Sequence, residues 1–283
     1  MAERKYLAGA IQKEGGRLAD ESARFIRIGC GIPFDLPTGR QRISVVENLR
    51  LKIGTEKNGG LVGGVVIGKY HWAIAGEDMV EELSDHERDK VTIVRRLGFQ
   101  PCQYRLGIWE GSPEKLVVVE GRTSLGKLED LRPNTMIATK HVNYLGRVIR
   151  ERGLNLKAVY DRSPETAPEL RGIVVVADNY ETGGTWRELK PYGISPREVF
   201  LESQAVLIKA KRLPWGRARM FNEILLPRVD QALEHPERWL NPDALSSVES
   251  IQMVPSPRMR IAREVWDRVR AFSGQPATAT VAS

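Results

Sequence analysis

The residues best suited to chemistry lie in the run Asp178-Asn-Tyr-Glu-Thr-Gly-Gly-Thr-Trp186. Thr182, Gly183, Gly184 and Thr185 put two hydroxyls and two unhindered backbone amides into four residues. Such a loop can wrap a phosphate with N–H groups, because only glycine lets the backbone approach that closely. An ordinary turn has the same composition, so the loop alone does not decide. What precedes it adds weight. Ile173-Val-Val-Val176 and Ala177 form a β-branched run that reads as a buried parallel strand. Asp178 then stands at the strand's carboxyl end, where it can hold the hydroxyls of a sugar attached to that phosphate.

A second candidate set opens the chain. Tyr6 to Ile11 reads as a short buried strand, Gln12-Lys-Glu-Gly-Gly-Arg17 as a basic turn, and Leu18, Ser22, Phe25 and Ile26 recur at helical spacing. Lys13 and Arg17 therefore sit at the carboxyl end of a strand, where α/β proteins place ligand sites. As solvated surface cations they would need no ligand at all.

The elements that must position these residues alternate in the manner of a parallel α/β sheet. Strands are expected at Arg42–Val46, Leu49–Ile53 and Tyr70–Ala75, the last ending in Gly76-Glu-Asp78 before a helix from Met79. Thr55 to Gly64 is Gly-rich and reads as a loop with a short helix. Two strands follow between Val91 and Trp109, and Leu116–Val119 is a further one. A second domain then carries strands at Asn134–Thr139 and Leu156–Tyr160, a helix from Leu145 to Arg152, and a short helix opened by Glu165-Thr-Ala-Pro168. Strands at Val199–Leu201 and Ala205–Ile208 return the chain to the first domain. This gives a first domain over 1–108 and 190–212, a second over 109–189, and a helical extension over 213–283 whose tail from Ser273 is expected to be disordered.

Composition narrows the function. With 283 residues, 41% hydrophobic and 28% charged, the chain has the make-up of a two-domain soluble protein. No apolar run approaches the about 18 residues of a membrane span, and no signal core follows Met1-Ala-Glu-Arg-Lys5, so a cytoplasmic location is expected. Cys30 and Cys102 lack metal-type spacing and read as reduced thiols. A net charge of +7 favours anionic partners. It permits nucleic acid without supporting it, since no zinc-finger spacing or aromatic–basic stripe is present.

Several stretches together resemble the ATP phosphoribosyltransferase family of histidine biosynthesis. Ala10-Ile-Gln-Lys-Glu-Gly-Gly-Arg-Leu18 is similar to that family's opening strand and turn, with one extra residue. Ala73-Ile-Ala-Gly-Glu-Asp78, Arg95-Arg-Leu-Gly-Phe99 with Cys102, and Ile137-Ala-Thr139 follow in the family's order. Most specific is the signature from Glu165 to Trp186: an acid thirteen residues before Asp178, then Thr-Gly-any-Thr. The resemblance spans roughly Tyr6 to Lys209.

The resemblance implies two α/β domains of the periplasmic-binding-protein-like type II fold, with the site in the cleft between them. It implies phosphoribosyl pyrophosphate as donor, Mg2+ as cofactor, and the adenine ring of ATP as acceptor. Glu181, Thr182, Gly183, Gly184 and Thr185 would bind the donor. Asp178 and Glu165 would hold its ribose hydroxyls and meet the metal only through it, and Lys13 and Arg17 would face phosphates. His71, Trp72, Gly76, Glu77 and Thr139 would lie on the acceptor side. A ring-nitrogen nucleophile needs positioning more than a strong base, and none of the four histidines stands out as one. The likeness also implies a homo-oligomer, with a regulatory partner subunit as an option and no membrane partner.

This chain departs from the family pattern at defined places. His71-Trp-Ala-Ile74 replaces Asp-Leu-Gly-Ile, Arg171-Gly-Ile-Val174 replaces Gly-Leu-Ala-Asp, His141-Val142 replaces Tyr-Pro, and Asn179 and Trp186 replace aliphatic residues. Two alternatives stay open on that account: a paralogue acting on another heteroaromatic or nucleotide acceptor, and a binding or regulatory protein without turnover. Residues 210–283 hold too few strands for the family's histidine-sensing domain. They are expected to be helices packed on the catalytic body or used in oligomerisation.

Overall fold

The computed structural model describes residues 6–13, 18–35, 43–109, 126–181 and 194–240. The chain divides into two compact units. One comprises Met1–Ala75, Lys90–Gln100 and Ala205–Ser283, the other Gly76–Asp89 and Pro101–Gln204.

The first unit is built on Leu7–Gln12 (β1), Ile43–Val46 (β2), Leu51–Glu56 (β3), Trp72–Gly76 (β4), Val91–Arg96 (β5) and Ala205–Ala210 (β11), in the order β2–β3–β1–β4–β11–β5. β1 pairs in parallel with β3 and β4, and all but one of its residues are buried. A parallel strand covered on both faces has this apolar sequence. Gly9 has a specific reason to be glycine: a Cβ there would overlap the indole of Trp72 on the neighbouring strand. Helix α1 (Ala19–Arg24) runs into a π-helical turn at Phe25–Gly29, and α2 is Asn58–Val66.

The helices Trp215–Met220, Leu226–Glu234 and Glu237–Leu240 share the first unit's core. Phe221, Leu225, Val229 and Trp239 pack in one cluster with Leu7, Phe25, Leu51 and Trp72. Trp239 lies edge-on to Phe25 at 5.0 Å and to Phe99 at 5.5 Å. The described part of the extension is therefore packed on the body, one of the two arrangements expected of it.

The second unit is built on Cys102–Trp109 (β6), Met136–Thr139 (β7), Lys157–Tyr160 (β8), Val175–Glu181 (β9) and Ile194–Ser203 (β10), in the order β10–β6–β9–β7–β8. β7 is parallel to β8 and β9, whereas β6 is antiparallel to β9 and β10. The helices are α3 (Glu77–Glu81), α4 (Asp85–Arg88), α5 (Val142–Glu151) and α6 (Ala167–Arg171). Strand alternation splits β9 between two layers. Val175 and Ala177 join Tyr104, Ile137, Leu145 and Ile149, while Val176 and Tyr180 join Ala138, Ala167 and Ile173.

Apart from edge strand β2, the two sheets repeat one order. Three parallel strands lie second–first–third, then come a strand from outside the trio and a last one. This is the expected two-domain α/β fold of the periplasmic-binding-protein-like type II class. The divisions fall elsewhere than the sequence placed them, at 100/101 rather than 108/109 and at 204/205 rather than 189/190, with 76–89 assigned to the second unit. β6 and β10 read as strands either way, and only their pairing with each other and with β9 puts them in the second sheet. The expected strand at Leu116–Val119 and the tail from Ser273 lie outside the described residues. Among the described residues, no helix is long and apolar enough to cross a membrane.

Candidate active site

The backbone pairing of β7 with β9 ends at Thr139 opposite Ala177. β9 itself runs on to Glu181, antiparallel to β6, with Asp178 opposite Arg105. Asp178 is thus not the last residue of its strand, as the sequence suggested, but the first beyond the parallel pairing. The β-branched run hides this distinction, because it signals burial and not which neighbour continues.

Beyond that last backbone pair, side chains take over. Lys140 Nζ lies 3.0 Å from Asp178 Oδ2, and the Asn179 N–H donates to Asp178 Oδ1 at 2.8 Å. Asp178 is 5% exposed, so its carboxylate is fixed at both oxygens. Tyr180, two residues on and on the same face, has no partner for its hydroxyl among the described residues. Burial, reinforced by the negative charge of Asp178, pushes the Tyr180 phenol well above its usual range, so it stays a neutral donor.

The opposite face of the same strand ends carries a different network. The hydroxyls of Tyr104 and Thr139 share a hydrogen bond of 2.6 Å, and Thr139 Oγ1 accepts the His141 N–H at 2.9 Å. Asn179 Nδ2 donates to Asp78 Oδ2 at 2.6 Å and lies 3.2 Å from His141 Nε2. Ser203 Oγ donates to Asp78 Oδ1 at 3.1 Å and accepts the Asp78 N–H at 2.9 Å. The carboxylate of Asp78 fixes the amide's orientation, since only the NH2 end can face it. His141 Nε2 is thereby placed to accept from that NH2. Next to it, the Glu82 carboxylate accepts the N–H groups of Asn143 and Tyr144 and caps the N-terminus of α5.

Glu165 lies half-buried in a 3-10 turn, Pro164–Thr166, that packs against β9. Ala167, directly after it, belongs to the layer that also holds Val176 and Tyr180, so Glu165 is carried on the Asp178 face. Asp161 secures both ends of this connection. Its Oδ1 accepts the Ser163 N–H at 2.9 Å and its Oδ2 lies 3.4 Å from Arg171 Nη1. Gly172 closes α6 in the left-handed conformation, φ 67°, which an L side chain resists, and the chain turns into β9.

The other expected site residues divide clearly. Lys13 is exposed directly after β1 and its N–H donates to Glu56 O. Glu181 ends β9. Arg17, Thr182, Gly183, Gly184 and Thr185 lie outside the described residues. Gly76 and Glu77 are buried around Asp78, and a Cβ on Gly76 would overlap the Asp78 carboxylate. Trp72 and Thr139, also expected on the acceptor side, are both 0% exposed. Trp72 fills the first unit's core, and Thr139 holds the backbone of His141. His71 is tied to β1, its Nδ1 accepting the Ala8 N–H at 2.9 Å.

Lys140, Asp78, Ser203 and Tyr104 escaped the sequence reading. Lys140 was findable, as a cation directly after a strand in the second domain. Asp78 closes the Gly76-Glu-Asp78 turn. Nothing local marks Ser203 or Tyr104, whose partners are distant in sequence.

Chemically, the Asp178 face offers a buried carboxylate with a cation beside it and a phenol two residues on, all leading into the Thr-Gly-Gly-Thr segment. Its oxygens are already engaged by Lys140 and Asn179, which suits outer contact with hydroxyls better than direct metal ligation. Among the described residues no group of three or more His, Cys, Asp or Glu can hold a metal ion. A divalent ion that arrives on a polyphosphate fits this donor set, because Mg2+ keeps waters and phosphates in its shell.

Residues 61–226 match the family model described as ATP phosphoribosyltransferase. The ATP phosphoribosyltransferase of Cytophaga hutchinsonii is 29% identical over 271 residues, covering 93% of this chain and 86% of that protein. That of Stenotrophomonas maltophilia is 27% identical over 249 residues, covering 84% and 74%. Among solved structures, the ATP phosphoribosyl transferase (HisG:HisZ) complex from Thermotoga maritima aligns with a TM-score of 0.60 at 16% identity, over 81% of this chain and 99% of that chain. That last likeness is one of fold.

Proposed function

The chain belongs to the ATP phosphoribosyltransferase family, and from that premise we propose that it moves phosphoribosyl from phosphoribosyl pyrophosphate to a ring nitrogen, by default of ATP, in the first step of histidine biosynthesis. The observation that carries this reading is the pinned carboxylate of Asp178, set just before Thr182–Thr185 in the chain. In the proposal, Asp178 and Glu165 hold the donor's ribose hydroxyls, residues 181–185 its 5-phosphate, and Lys13 and Arg17 phosphate oxygens.

As pyrophosphate leaves, the anomeric carbon becomes cation-like, and fixed carboxylates near the ribose stabilise that charge without reorganising. Bound Mg2+ would neutralise the departing pyrophosphate. Gly76, Glu77 and the ring of His71 remain proposed for the acceptor side. A cytoplasmic homo-oligomer is part of the proposal. So is a partner subunit, since the Thermotoga maritima protein is in a HisG:HisZ complex.

A second reading, in which the acceptor is not ATP, rests on this chain's departures from the family pattern at Arg171–Val174 and Trp186. Pyrophosphate release with phosphoribosyl pyrophosphate, Mg2+ and a panel of nucleotides and bases decides. Release with ATP supports the default, and release only with another acceptor supports the second reading. Absence of donor binding overturns both. Asp178→Asn is expected to weaken donor use roughly tenfold to a hundredfold, the worth of a charge-assisted hydrogen bond.

A further inference from the structure

The parallel register of β7 and β9 ends at Thr139 opposite Ala177, yet the next two positions on each strand still meet. Lys140 reaches Asp178 at 3.0 Å and His141 reaches Asn179 at 3.2 Å. These are the two rungs that would follow in the same register, made by side chains instead of backbone. Because successive residues of a strand point to opposite faces, the rungs lie on opposite faces of the sheet. The Lys140–Asp178 rung lies on the face of Val176 and Tyr180. The His141–Asn179 rung lies on the face of Tyr104 and Thr139.

The second rung is anchored far more widely than the first. Asn179 Nδ2 reaches Asp78, which Ser203 holds through two hydrogen bonds, and the His141 backbone hangs on Thr139. The His141 ring lies edge-on to Tyr104 at 5.1 Å. Asp78, His141 and Ser203 are all nearly or fully buried. The coupling between rungs is direct, since the Asn179 N–H donates to the Asp178 carboxylate.

We propose that His141 and Asn179 are positioning residues that fix Asp178 from the far side of the sheet, with Asp78 as their anchor. This rests on the reading of Asp178 as the acid that meets the donor's ribose. The His141 ring serves as a hydrogen-bond acceptor, the Asn179 amide as the bridge, and neither touches substrate.

The test uses steady-state kinetics and calorimetric binding of phosphoribosyl pyrophosphate with Mg2+ on the full chain. His141→Phe keeps the ring stack on Tyr104 but removes the acceptor, and Asn179→Leu keeps volume but removes the bridge. Each is expected to raise the donor KM and Kd roughly two- to tenfold, the worth of one hydrogen bond, with the acceptor KM unchanged. His141→Gln, which restores an acceptor oxygen, should recover most of the loss. The double variant should be no worse than the poorer single one, as for residues acting as one unit. Should a variant unfold, ribose 5-phosphate binding to His141→Gln and wild type still compares the intact and replaced acceptor, and loss of binding in the former overturns the proposal.

Asp178→Asn separates the failures. If it leaves donor affinity unchanged, the reading of Asp178 falls and the inference with it. If it weakens the donor while His141→Phe and Asn179→Leu do not, the positioning role alone is wrong.

Discussion

Lys140 Nζ stands 3.0 Å from Asp178 Oδ2, in the first position after backbone pairing between their strands has ended. The lysine side chain is 43% exposed and that of the aspartate 7%. The pair therefore joins a solvated cation to a desolvated anion. Removing the cation leaves the buried carboxylate, among the described residues, with the Asn179 N–H, and an under-satisfied buried group costs about 1–3 kcal/mol.

Lys140→Met should accordingly lower kcat/KM for the donor about tenfold or more, while Lys140→Arg keeps the charge and most of the activity. Because Lys140 is partly solvated, the wild-type advantage should shrink as salt rises. Donor kinetics at low and high ionic strength check this. Equal losses in the Met and Arg variants would show that the pair does not matter as a charge pair.

A pH dependence follows from His71. Burial disfavours its charged form and the positive charge of Arg217 opposes it further, so its pKa lies below the ordinary 6.5. The unfolded chain then binds the proton more readily, and stability falls with falling pH. This contribution is complete above the unfolded value and is lost as pH drops through the lower folded one. His71→Asn offers an oxygen to the Ala8 N–H in place of Nδ1 and removes the titration. Urea melts across about pH 5–7 should show a flatter stability profile for that variant. An unchanged slope would mean that other groups set it.

The C-terminal helices should prove inseparable from the first unit. Trp239 is 1% exposed, contacts Phe25 and Phe99, and donates Nε1–H to Ala232 O at 2.9 Å. Trp239→Ala is expected to cost about 3–5 kcal/mol, as for other buried aromatic truncations, read from chemical denaturation. A variant as stable as wild type would show that these helices dock weakly. The same packing leads us to expect no inhibition of the isolated chain by histidine, which a rate measurement with added histidine checks.

Departures from the family pattern look alike in sequence but separate in three dimensions. His71-Trp72 seemed to alter an acceptor site. In the structure the bulk of Trp72 is absorbed by the core beside Gly9, and His71 ties two strands together. His141 and Asn179, by contrast, are 38 residues apart and bonded to each other. A change in one can be compensated by the other only because β7 and β9 are neighbours.

By itself the sequence determined the class of fold and singled out Asp178. Strand periodicity, glycine-bearing turns and the Glu165–Asp178 spacing are local properties, written in consecutive residues. Only the tertiary structure decided that β6 and β10 belong to the second sheet, that Trp72 and Thr139 are buried, and that Lys140, Asp78 and Ser203 surround Asp178 and Asn179. Those outcomes depend on which strands become neighbours. Strand pairing is a long-range choice, and no single stretch of residues encodes its partner.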